Sequence, residues 1–583
     1  MAVTSKDSLF RSLSSLGSLS VTAIFLVAFT ILLASMSRTV NLYDEGVMVT
    51  GAARAMAGEV VHRDFYANYG PAQFYILAAL FKLFGPSILV ARLWGALVKA
   101  AIPVAVYLLG KRVMPAPWSL VSCVCSTVWL SLAENTVWPA WPALLASIGS
   151  ILILFTIFEK GSSVKRALAA GAVVGVATLF RYDIGFIVCT AEAAVLLTYS
   201  LTVDAGGQTR LRFVAVNLGA YCVGIAAVCM PVAAAFWLAG ASSDLLFDVV
   251  QFPAHHYAAT RSLPFPLPMP GRRPFYLFEY IVYFPLLMCV GTLFAAIPFN
   301  RPLAPRFCTG MANSRRGTWE LALLGAVTFG LFAKGLVRVS AIHMSPAVVP
   351  ALLILAALLS ANARRKVSVG FTAFLAVAIA AGIVPTLNAY DAVRNKILVN
   401  LYYSSRPDRR ASIPGDSPER SDSCRPDPGL ERVACFEFSP DQAAAVRYVQ
   451  ANTTISDAIF VGLPQHERIF VNNVGFYFVA DRRPATKWYH FDPGLQTSEP
   501  IQKLMIGDLL RSQPKYVVLD AEWEGAREPN ESAKSSGVRL LDEFIDDNYR
   551  RVATFGSLTV LKYVDARSAR DDTRNQLATT EER

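Results

Sequence analysis

The sequence predicts a polytopic α-helical membrane protein with a soluble α/β domain at its C-terminal end. Composition is the first reason, because the 583 residues are 54% hydrophobic and 17% charged, with a mean hydropathy of +0.41, which is more apolar than ordinary soluble proteins. The second is a series of long apolar runs that ends near residue 388. The third is the polar composition of the chain after residue 389, which indicates a separate domain.

About eleven apolar runs approach or reach the roughly 17 to 25 residues that a membrane-crossing helix needs. They cover residues 19–37, 87–110, 117–133, 139–158, 166–181, 185–203, 213–238, 275–298, 319–337, 343–362 and 367–388. The first run follows Lys6 and Arg11 as in a signal peptide, but the later runs favour a retained signal anchor.

The charge distribution predicts the orientation in the membrane. Residues 1–388 carry 28 Lys and Arg against 14 Asp and Glu, whereas residues 389–583 carry 26 against 29. The positive excess therefore belongs to membrane loops and gives no reason to expect a nucleic-acid partner. A cytoplasmic N-terminus places on the inner side the basic loops at residues 111–112, 160–166, 210–212, 301–316 and 364–366. The C-terminal domain then lies outside.

One outer loop, residues 239–274, departs from this rule. It carries Arg261, Arg272 and Arg273 against the two acids Asp244 and Asp248. Long loops cross membranes largely regardless of their charge. The alternative is that these arginines meet an anion.

The first outer loop, residues 38–86, predicts two short helices. Residues 46–57 would form one, with Asp44 as a possible N-cap. The apolar stretch from Ala72 to Phe84 is too short to span, and Gly-Pro pairs bound it on both sides. We expect it to form a helix that lies in the membrane interface.

The polar part divides into a linker at 389–430, an α/β domain at 431–568 and a disordered tail at 569–583. Its two cysteines, Cys424 and Cys435, could form a disulfide if the domain lies outside the cytoplasm.

Local patterns predict the elements of the α/β domain. Ser439 and Gln442 have capping-box spacing, with Pro440 at the first helical position, and would open a helix. A further helix is predicted at residues 501–511, and strands are predicted at residues 458–461, 516–519 and 557–563.

Ionisable side chains cluster at the predicted outer ends of the apolar runs. They are Asp44, Glu45, Arg181, Asp183, Lys334, Arg338 and His343. Ionised groups near hydrocarbon cost free energy unless they are solvated or paired, so this clustering indicates a functional site. Lys334 and Arg338 have i,i+4 spacing, which could present both on one helical face to one anion. Such a set suits a lipid-borne phosphate, because a carboxylate can act as a base and cations can stabilise a leaving phosphate.

Several motifs together resemble one superfamily. The architectural features are an acidic first-loop residue, two juxtamembrane helices, the Arg-x-Asp-x-Gly segment 181–185 and a C-terminal soluble domain. Short motifs with the same resemblance lie at residues 69–75, 83–85, 91–93, 338–343, 482–486 and 491–494. The chain thereby resembles the GT-C glycosyltransferases, most closely the family 39-like enzymes related to protein O-mannosyltransferases and aminoarabinose transferases. Two departures are Tyr69-Gly70-Pro71 in place of Lys-Pro-Pro, and Ser340 where relatives often have Asp.

The resemblance implies a GT-C fold and transfer of a sugar from a polyprenyl-phosphate donor to a lipid, glycan or protein acceptor, with inversion. It implies a multi-pass protein of the plasma (inner) membrane whose active site faces the periplasm or exterior. Asp44 would be the general base or acceptor orienter, with Glu45 beside it. The substrate-binding residues would be Tyr69, Arg181, Asp183, Lys334, Arg338 and His343.

Simpler interpretations remain open for several residues. Arg181 and Asp183 could form an ion pair without a ligand. Glu192, in the middle of the sixth run, could be functional or could bond to a neighbouring helix. The adjacent rings of residues 488–490 (Trp-Tyr-His) could stack on a sugar or pack in a core.

Two other function classes compete with the enzyme. A transporter or lipid flippase also needs many spans, but such proteins tend to bind substrate near the bilayer midplane. A scaffold would leave the polar cluster unexplained. A divalent cation is possible at Asp44, Glu45 and Asp183, although we favour a site without metal.

Overall fold

The computed structural model describes residues 21–132, 137–203, 209–266, 281–296, 314–363, 370, 372–382, 392–394, 397–398, 424 and 427–564. The chain forms two compact units. The helical unit comprises residues 1–37, 92–235 and 264–420, and the mixed unit comprises residues 38–91, 236–263 and 421–583. The linker falls largely, and the tail wholly, outside the described residues.

The first 382 residues form helices wherever they are described as regular structure. In chain order these are α1 (Val21–Ala34), α2 (Asp44–Met56), α3 (Ala72–Phe84), α4 (Ile88–Val113), α5 (Ala116–Leu132), α6 (Ala140–Lys160), α7 (Val164–Phe180), α8 (Tyr182–Thr202), α9 (Arg210–Leu238), α10 (Ser242–Leu246, continued by π-helical turns at Phe247–Gln251 and Pro253–Tyr257 and by an α-helical turn at Ala258–Arg261), α11 (Phe284–Ala296), α12 (Ser314–Gly335), α13 (Ala341–Ala363) and α14 (Thr372–Gly382).

Each predicted apolar run overlaps one of these helices. Among the described residues, five helices are long and apolar enough to cross a membrane, namely α4, α6, α8, α9 and α13. Others, such as α1 and α5, are apolar but shorter. The chain is thus a helical, membrane-type protein, while eleven crossings and their orientation stay predictions.

Glycine lets two helices of the helical unit approach closely. A Cβ at Gly171 of α7 would collide with the carbonyl oxygen of Tyr221 in α9, and a Cβ at Gly224 of α9 would collide with the carbonyl oxygen of Leu168. Without a hydrophobic driving force between helices in lipid, small residues of this kind allow the backbones to pack. The contact fixes Tyr221 against its neighbours.

The C-terminal part of the mixed unit contains a five-stranded sheet with helices. Its elements are α15 (Pro440–Asn452), β1 (Ala458–Gly462), α16 (Gly475–Ala480), β2 (Arg483–Pro484), α17 (Glu499–Ser512), β3 (Tyr516–Asp520), α18 (Leu540–Asn548), β4 (Tyr549–Phe555) and β5 (Leu558–Tyr563). The strand order is β2-β1-β3-β5-β4. Strands β1, β2 and β3 run parallel, and β5 pairs antiparallel with both β3 and β4.

The predicted strands and helices of this domain are present, whereas β2, β4, α16 and α18 were missed. The predicted capping box is wrong, because Ser439 makes no side-chain cap bond. Gln442 instead donates to Asp520 at 3.2 Å and accepts from Asn473 at 2.9 Å inside the domain. Cys424 and Cys435 form the disulfide that the sequence left open.

Helix α2 packs on the C-terminal part of the mixed unit. A Cβ at Gly46 would collide with the backbone nitrogen of Gly475, so this contact needs glycine. Thr50 donates to the carbonyl oxygen of Val474 at 3.2 Å, and the Tyr489 hydroxyl donates to the carbonyl oxygen of Val47 at 2.9 Å. The first loop therefore packs against the sheet domain, which is distant in sequence, and this contact places Asp44 and Glu45 in the mixed unit.

Candidate active site

Two cations and one carboxylate meet in the helical unit, at a break between helices. Arg181 has extended backbone between α7 and α8, and Asp183 lies in the first turn of α8, where the helix dipole favours a negative charge. Arg181 Nε lies 2.9 Å from Asp183 Oδ1, and Lys334 Nζ, in the last turn of α12, lies 3.7 Å from Asp183 Oδ2. We call these three residues the cation cluster. Its formal charge is positive, which suits an anionic ligand.

Two aromatic rings adjoin the cation cluster. The Arg181 guanidinium lies 5.4 Å from the ring centroid of Trp138, within cation–π range. His343 meets the same indole edge-on at 5.7 Å, and its Nδ1 lies 2.8 Å from Ser340 Oγ. Ser340 thus replaces the expected Asp with a group that orients His343. Sequence reasoning missed Trp138, which carries no motif.

Arg338 is half-buried and does not share a helical face with Lys334. Helix α12 ends at Gly335, and residues 336–340 form turns and bends. The i,i+4 interpretation is therefore wrong, since it requires four continuous helical residues. Arg338 remains a candidate through its position three residues beyond that helix end.

Asp44 and Glu45 open helix α2 in the mixed unit. Asp44 is the first residue of α2 rather than its cap, and Tyr43 at the cap position makes no side-chain cap bond. Asn41 Oδ1 accepts from the backbone nitrogens of Tyr43 at 3.0 Å and Asp44 at 2.8 Å. Asp44 is exposed, and its Oδ2 accepts from Asn41 Nδ2 at 3.4 Å. Glu45 is buried and accepts from the Asn41 backbone nitrogen at 3.3 Å. The first-loop acids therefore have different environments, and Asp44 is the better placed to meet a soluble group.

Asp492 is the centre of a polar network that includes Tyr43, the residue next to Asp44. Its Oδ1 accepts from Arg261 Nη2 at 3.0 Å and from the Tyr43 hydroxyl at 3.5 Å. Its Oδ2 accepts from the Tyr66 hydroxyl and from Asn68 Nδ2, both at 3.0 Å. The network joins the first loop, the end of α10 and the sheet domain, all within the mixed unit.

Tyr43 links this network directly to the neighbouring Asp44. Burial, followed by the Asp492 carboxylate, raises the pKa of Tyr43 well above its usual value, with smaller contributions from Tyr69 and Asp44. The phenol therefore stays protonated and donates, also to the carbonyl oxygen of Phe491 at 3.0 Å. The predicted substrate residue Tyr69 lies in this neighbourhood and is half-buried.

The aromatic residues 488–490 pack in the interior, so the sugar-stacking alternative for them is wrong. Trp488, Tyr489 and His490 are 4%, 0% and 0% exposed. His490 stacks on the Tyr66 ring at 4.6 Å. Burial lowers the pKa of His490 to about 4, and the imidazole is therefore neutral at neutral pH.

Ion pairs within the mixed unit use most charges of the basic outer loop that the structure describes. Arg261 forms an ion pair with Asp492, and Lys487 Nζ lies 2.5 Å from Asp244 Oδ1. Asp248 accepts from His62 Nδ1 at 2.9 Å, where both side chains are fully buried. The anion that Arg261 meets is therefore a carboxylate of the protein itself. Arg272 and Arg273 lie outside the described residues.

Glu192 is hydrogen-bonded to neighbouring helices, as one of its two interpretations predicted. Its Oε2 accepts from Ser150 Oγ of α6 at 2.7 Å and from the Tyr221 hydroxyl of α9 at 2.8 Å. The residue is fully buried. These bonds account for a polar group in an apolar helix, because they give it partners that lipid lacks.

Glu192→Gln is expected to keep the stability of the protein, because an amide oxygen can accept the same two bonds. Glu192→Leu should lower the free energy of unfolding by about 1–3 kcal/mol, since two buried hydroxyls lose their acceptor. Unfolding of both variants in detergent, followed by intrinsic fluorescence, measures the difference. Equal losses for the two variants would contradict a hydrogen-bonding role.

Among the residues that the structure describes, no group of three or more His, Cys, Asp or Glu side chains is placed to hold a metal ion. The expectation of a site without metal, and its alternative of a divalent cation at Asp44, Glu45 and Asp183, are both untested.

A helical membrane unit, a first loop with two short helices and a terminal α/β domain define the fold class. The chain has the GT-C fold, and the predicted resemblance to GT-C glycosyltransferases is confirmed. Residues 68–238 match the family model described as dolichyl-phosphate-mannose-protein mannosyltransferase. No curated protein matches the chain.

Two solved structures are similar to the chain. ArnT from Cupriavidus metallidurans, bound to undecaprenyl phosphate, is 14% identical with a TM-score of 0.51 over 94% of this chain and 98% of its own. The oligosaccharyltransferase AglB from Archaeoglobus fulgidus, in complex with an inhibitory peptide and a dolichol-phosphate, is 13% identical with a TM-score of 0.47 over 86% of this chain and 70% of its own.

Proposed function

We propose that the protein transfers a sugar from a polyprenyl-phosphate-linked donor to an acceptor at the extracytoplasmic face of the membrane. The observation that carries the proposal is the cation cluster, in which Arg181 and Lys334 share the single carboxylate of Asp183. The surplus positive charge suits a phosphate that gains charge as the sugar leaves. The GT-C fold and the family match at residues 68–238 support the same reaction.

The reaction assigns a role to each candidate residue. Asp44 takes the proton of an acceptor hydroxyl, whose oxygen attacks the anomeric carbon of the sugar. The bond between that carbon and the phosphate oxygen breaks, the anomeric configuration inverts, and the electron pair leaves with polyprenyl phosphate. Arg181, Lys334 and Arg338 bind this phosphate.

The remaining candidates position these groups. Asp183 holds Arg181 and Lys334 in place, and His343 supports Arg181 through Trp138. Glu45 and Tyr69 belong to the acceptor side beside Asp44.

The proposed location is the plasma (inner) membrane, with the mixed unit and the reaction outside the cytoplasm. The basic loops predicted to face the cytoplasm support this orientation. The disulfide between Cys424 and Cys435 supports it independently, because disulfides persist in oxidising compartments.

Purified protein incubated with a panel of radiolabelled polyprenyl-phosphate sugars, and with nucleotide sugars as controls, tests the donor class. Transfer from at least one lipid-linked sugar, with release of polyprenyl phosphate, is expected. Transfer from nucleotide sugars alone would contradict the proposal. The same transfer would contradict the rival hypothesis of a transporter or lipid flippase. Glu192, the acid near the bilayer midplane that a transporter could use to bind substrate, is hydrogen-bonded to neighbouring helices.

Arg181→Gln is expected to lower kcat/KM for the lipid-linked donor by about 100-fold, because one phosphate-binding charge is removed. Lys165→Gln is the matched control. Lys165 is an exposed cation in the first turn of α7, whereas Arg181 directly follows the other end of that helix. Steady-state kinetics of both variants should show a loss for Arg181→Gln alone. Similar losses in both would show that the effect is not specific to the cluster.

A further inference from the structure

The sheet of the mixed unit has a crevice at the carboxyl ends of two neighbouring strands. β1 and β3 are adjacent and parallel, with Phe460 opposite Val517 and Gly462 opposite Leu519. After β1 the chain continues to β2 on one side of this pair, whereas after β3 it continues to β4 and β5 on the other side. Ligands of open α/β sheets bind where connections diverge in this way.

The loops that leave these two strands line a pocket. Gln465, Arg468 and Phe470 come from the loop after β1, and Trp523 and Arg527 come from the loop after β3. Trp523 and Phe470 are half-buried, so part of each ring remains accessible. The pocket therefore combines aromatic faces, two guanidinium groups, an exposed amide and one acidic residue, Glu524, so its lining carries two positive charges against one negative charge.

The two arginines are held against the same wall of the pocket. Arg468 Nη2 donates to the carbonyl oxygen of Glu524 at 3.1 Å, and Arg527 Nη1 donates to the same oxygen at 2.7 Å. A guanidinium has five N–H donors, so each retains capacity for a ligand. Arginines fixed in this way are suited to carboxylate or phosphate oxygens.

We propose that this pocket binds an anionic saccharide, that is, a sugar unit carrying a carboxylate or a phosphate. The apolar face of a sugar ring can pack on Trp523 or Phe470, its anionic group can bond to Arg468 and Arg527, and Gln465 can bond to a hydroxyl. Resting on the proposed function, this saccharide is part of the acceptor. The pocket then selects acceptors by charge.

The pocket adjoins the polar network around Asp492. The Arg261 guanidinium lies 5.9 Å from the ring centroid of Phe470, which is one of the pocket residues. The same guanidinium donates to Asp492 at 3.0 Å and to the Tyr43 hydroxyl at 3.3 Å. One aromatic ring and one arginine thus connect the pocket to the residue beside Asp44.

Calorimetric titration of the full-length protein in detergent, without any donor, tests the proposal. The probes are tetragalacturonate, the neutral maltotetraose and inorganic phosphate. Tetragalacturonate is expected to bind at least about tenfold more tightly than the other two probes. Arg468→Gln should weaken its binding by about tenfold or more, as expected for a lost charged hydrogen bond, and Trp523→Leu should weaken it to a similar degree.

Arg550→Gln is the matched control, because Arg550 is an exposed arginine on β4 of the same sheet and does not line the pocket. It should leave tetragalacturonate binding unchanged. Equal binding of maltotetraose, equal binding of inorganic phosphate, or unchanged binding in Arg468→Gln and Trp523→Leu would each overturn the proposal. The titration measures binding and not transfer, so a negative titration would not contradict the proposed reaction. Failure of the transfer assay would in turn not contradict saccharide binding by the pocket.

Discussion

Asp44→Asn is expected to lower kcat for sugar transfer by roughly 10²- to 10⁴-fold, the range that general-base groups contribute. The amide has the size of the carboxylate but cannot take the acceptor proton. Asp44 is exposed, and an asparagine side-chain oxygen can still accept the 3.4 Å bond from Asn41 Nδ2. Membrane insertion and thermal unfolding should therefore match those of the unsubstituted protein, while transfer in the radiolabelled assay is lost.

Asp64→Asn is the control for this experiment. Asp64 is a first-loop carboxylate that pairs with Arg63 at 2.8 Å, and both side chains are partly exposed. Exposed ion pairs of this kind contribute little to the free energy of unfolding, so the rate of transfer should stay within about threefold of that of the unsubstituted protein. Retained transfer in Asp44→Asn would remove Asp44 from the mechanism.

Asp492→Leu is expected to reduce the free energy of unfolding by about 3–5 kcal/mol, because Arg261 is left buried without its counter-ion. The Arg261 and Asp492 side chains are only 7% and 2% exposed. Tyr43, Tyr66 and Asn68 lose their shared acceptor in the same variant. Denaturant unfolding of the full chain in detergent measures the loss, and transfer should fall with it because Tyr43 adjoins Asp44.

Arg261→Met combined with Asp492→Leu should recover part of this stability, since no unpaired charge then remains buried. Asp427→Leu serves as the control, because Asp427 and Arg447 form an exposed pair in the same unit. Its cost should stay below about 1 kcal/mol. If the double variant loses the sum of the two single losses, Asp492 and Arg261 do not act as a pair.

Local patterns predicted the helices and the neighbourhoods of several site residues. Hydrophobic runs of helical length located α4, α6 and α13, and the Gly-Pro pairs around residues 72–84 bounded α3. The pairing of Arg181 with Asp183 follows from their spacing across a helix break. Such features depend on neighbouring residues, so a single sequence displays them.

The buried network could not be predicted, because its members are far apart in the chain. Arg261 and Asp492 are separated by 231 residues, and no periodic pattern connects them. Trp138 likewise reaches Arg181 only through the packing of helices. The error for Lys334 and Arg338 was local, since Gly335 ends helix α12, and a glycine at that point is a frequent helix end.

The proposed reaction requires Asp44 and the cations of the helical unit to face the same, outer side of the membrane. The direct test is labelling of Asp44→Cys and Arg338→Cys by a membrane-impermeant maleimide in intact cells, measured against the unsubstituted protein. Labelling of both residues from outside is expected. Labelling of residue 44 from outside and of residue 338 only after the membrane is permeabilised would contradict the proposed reaction.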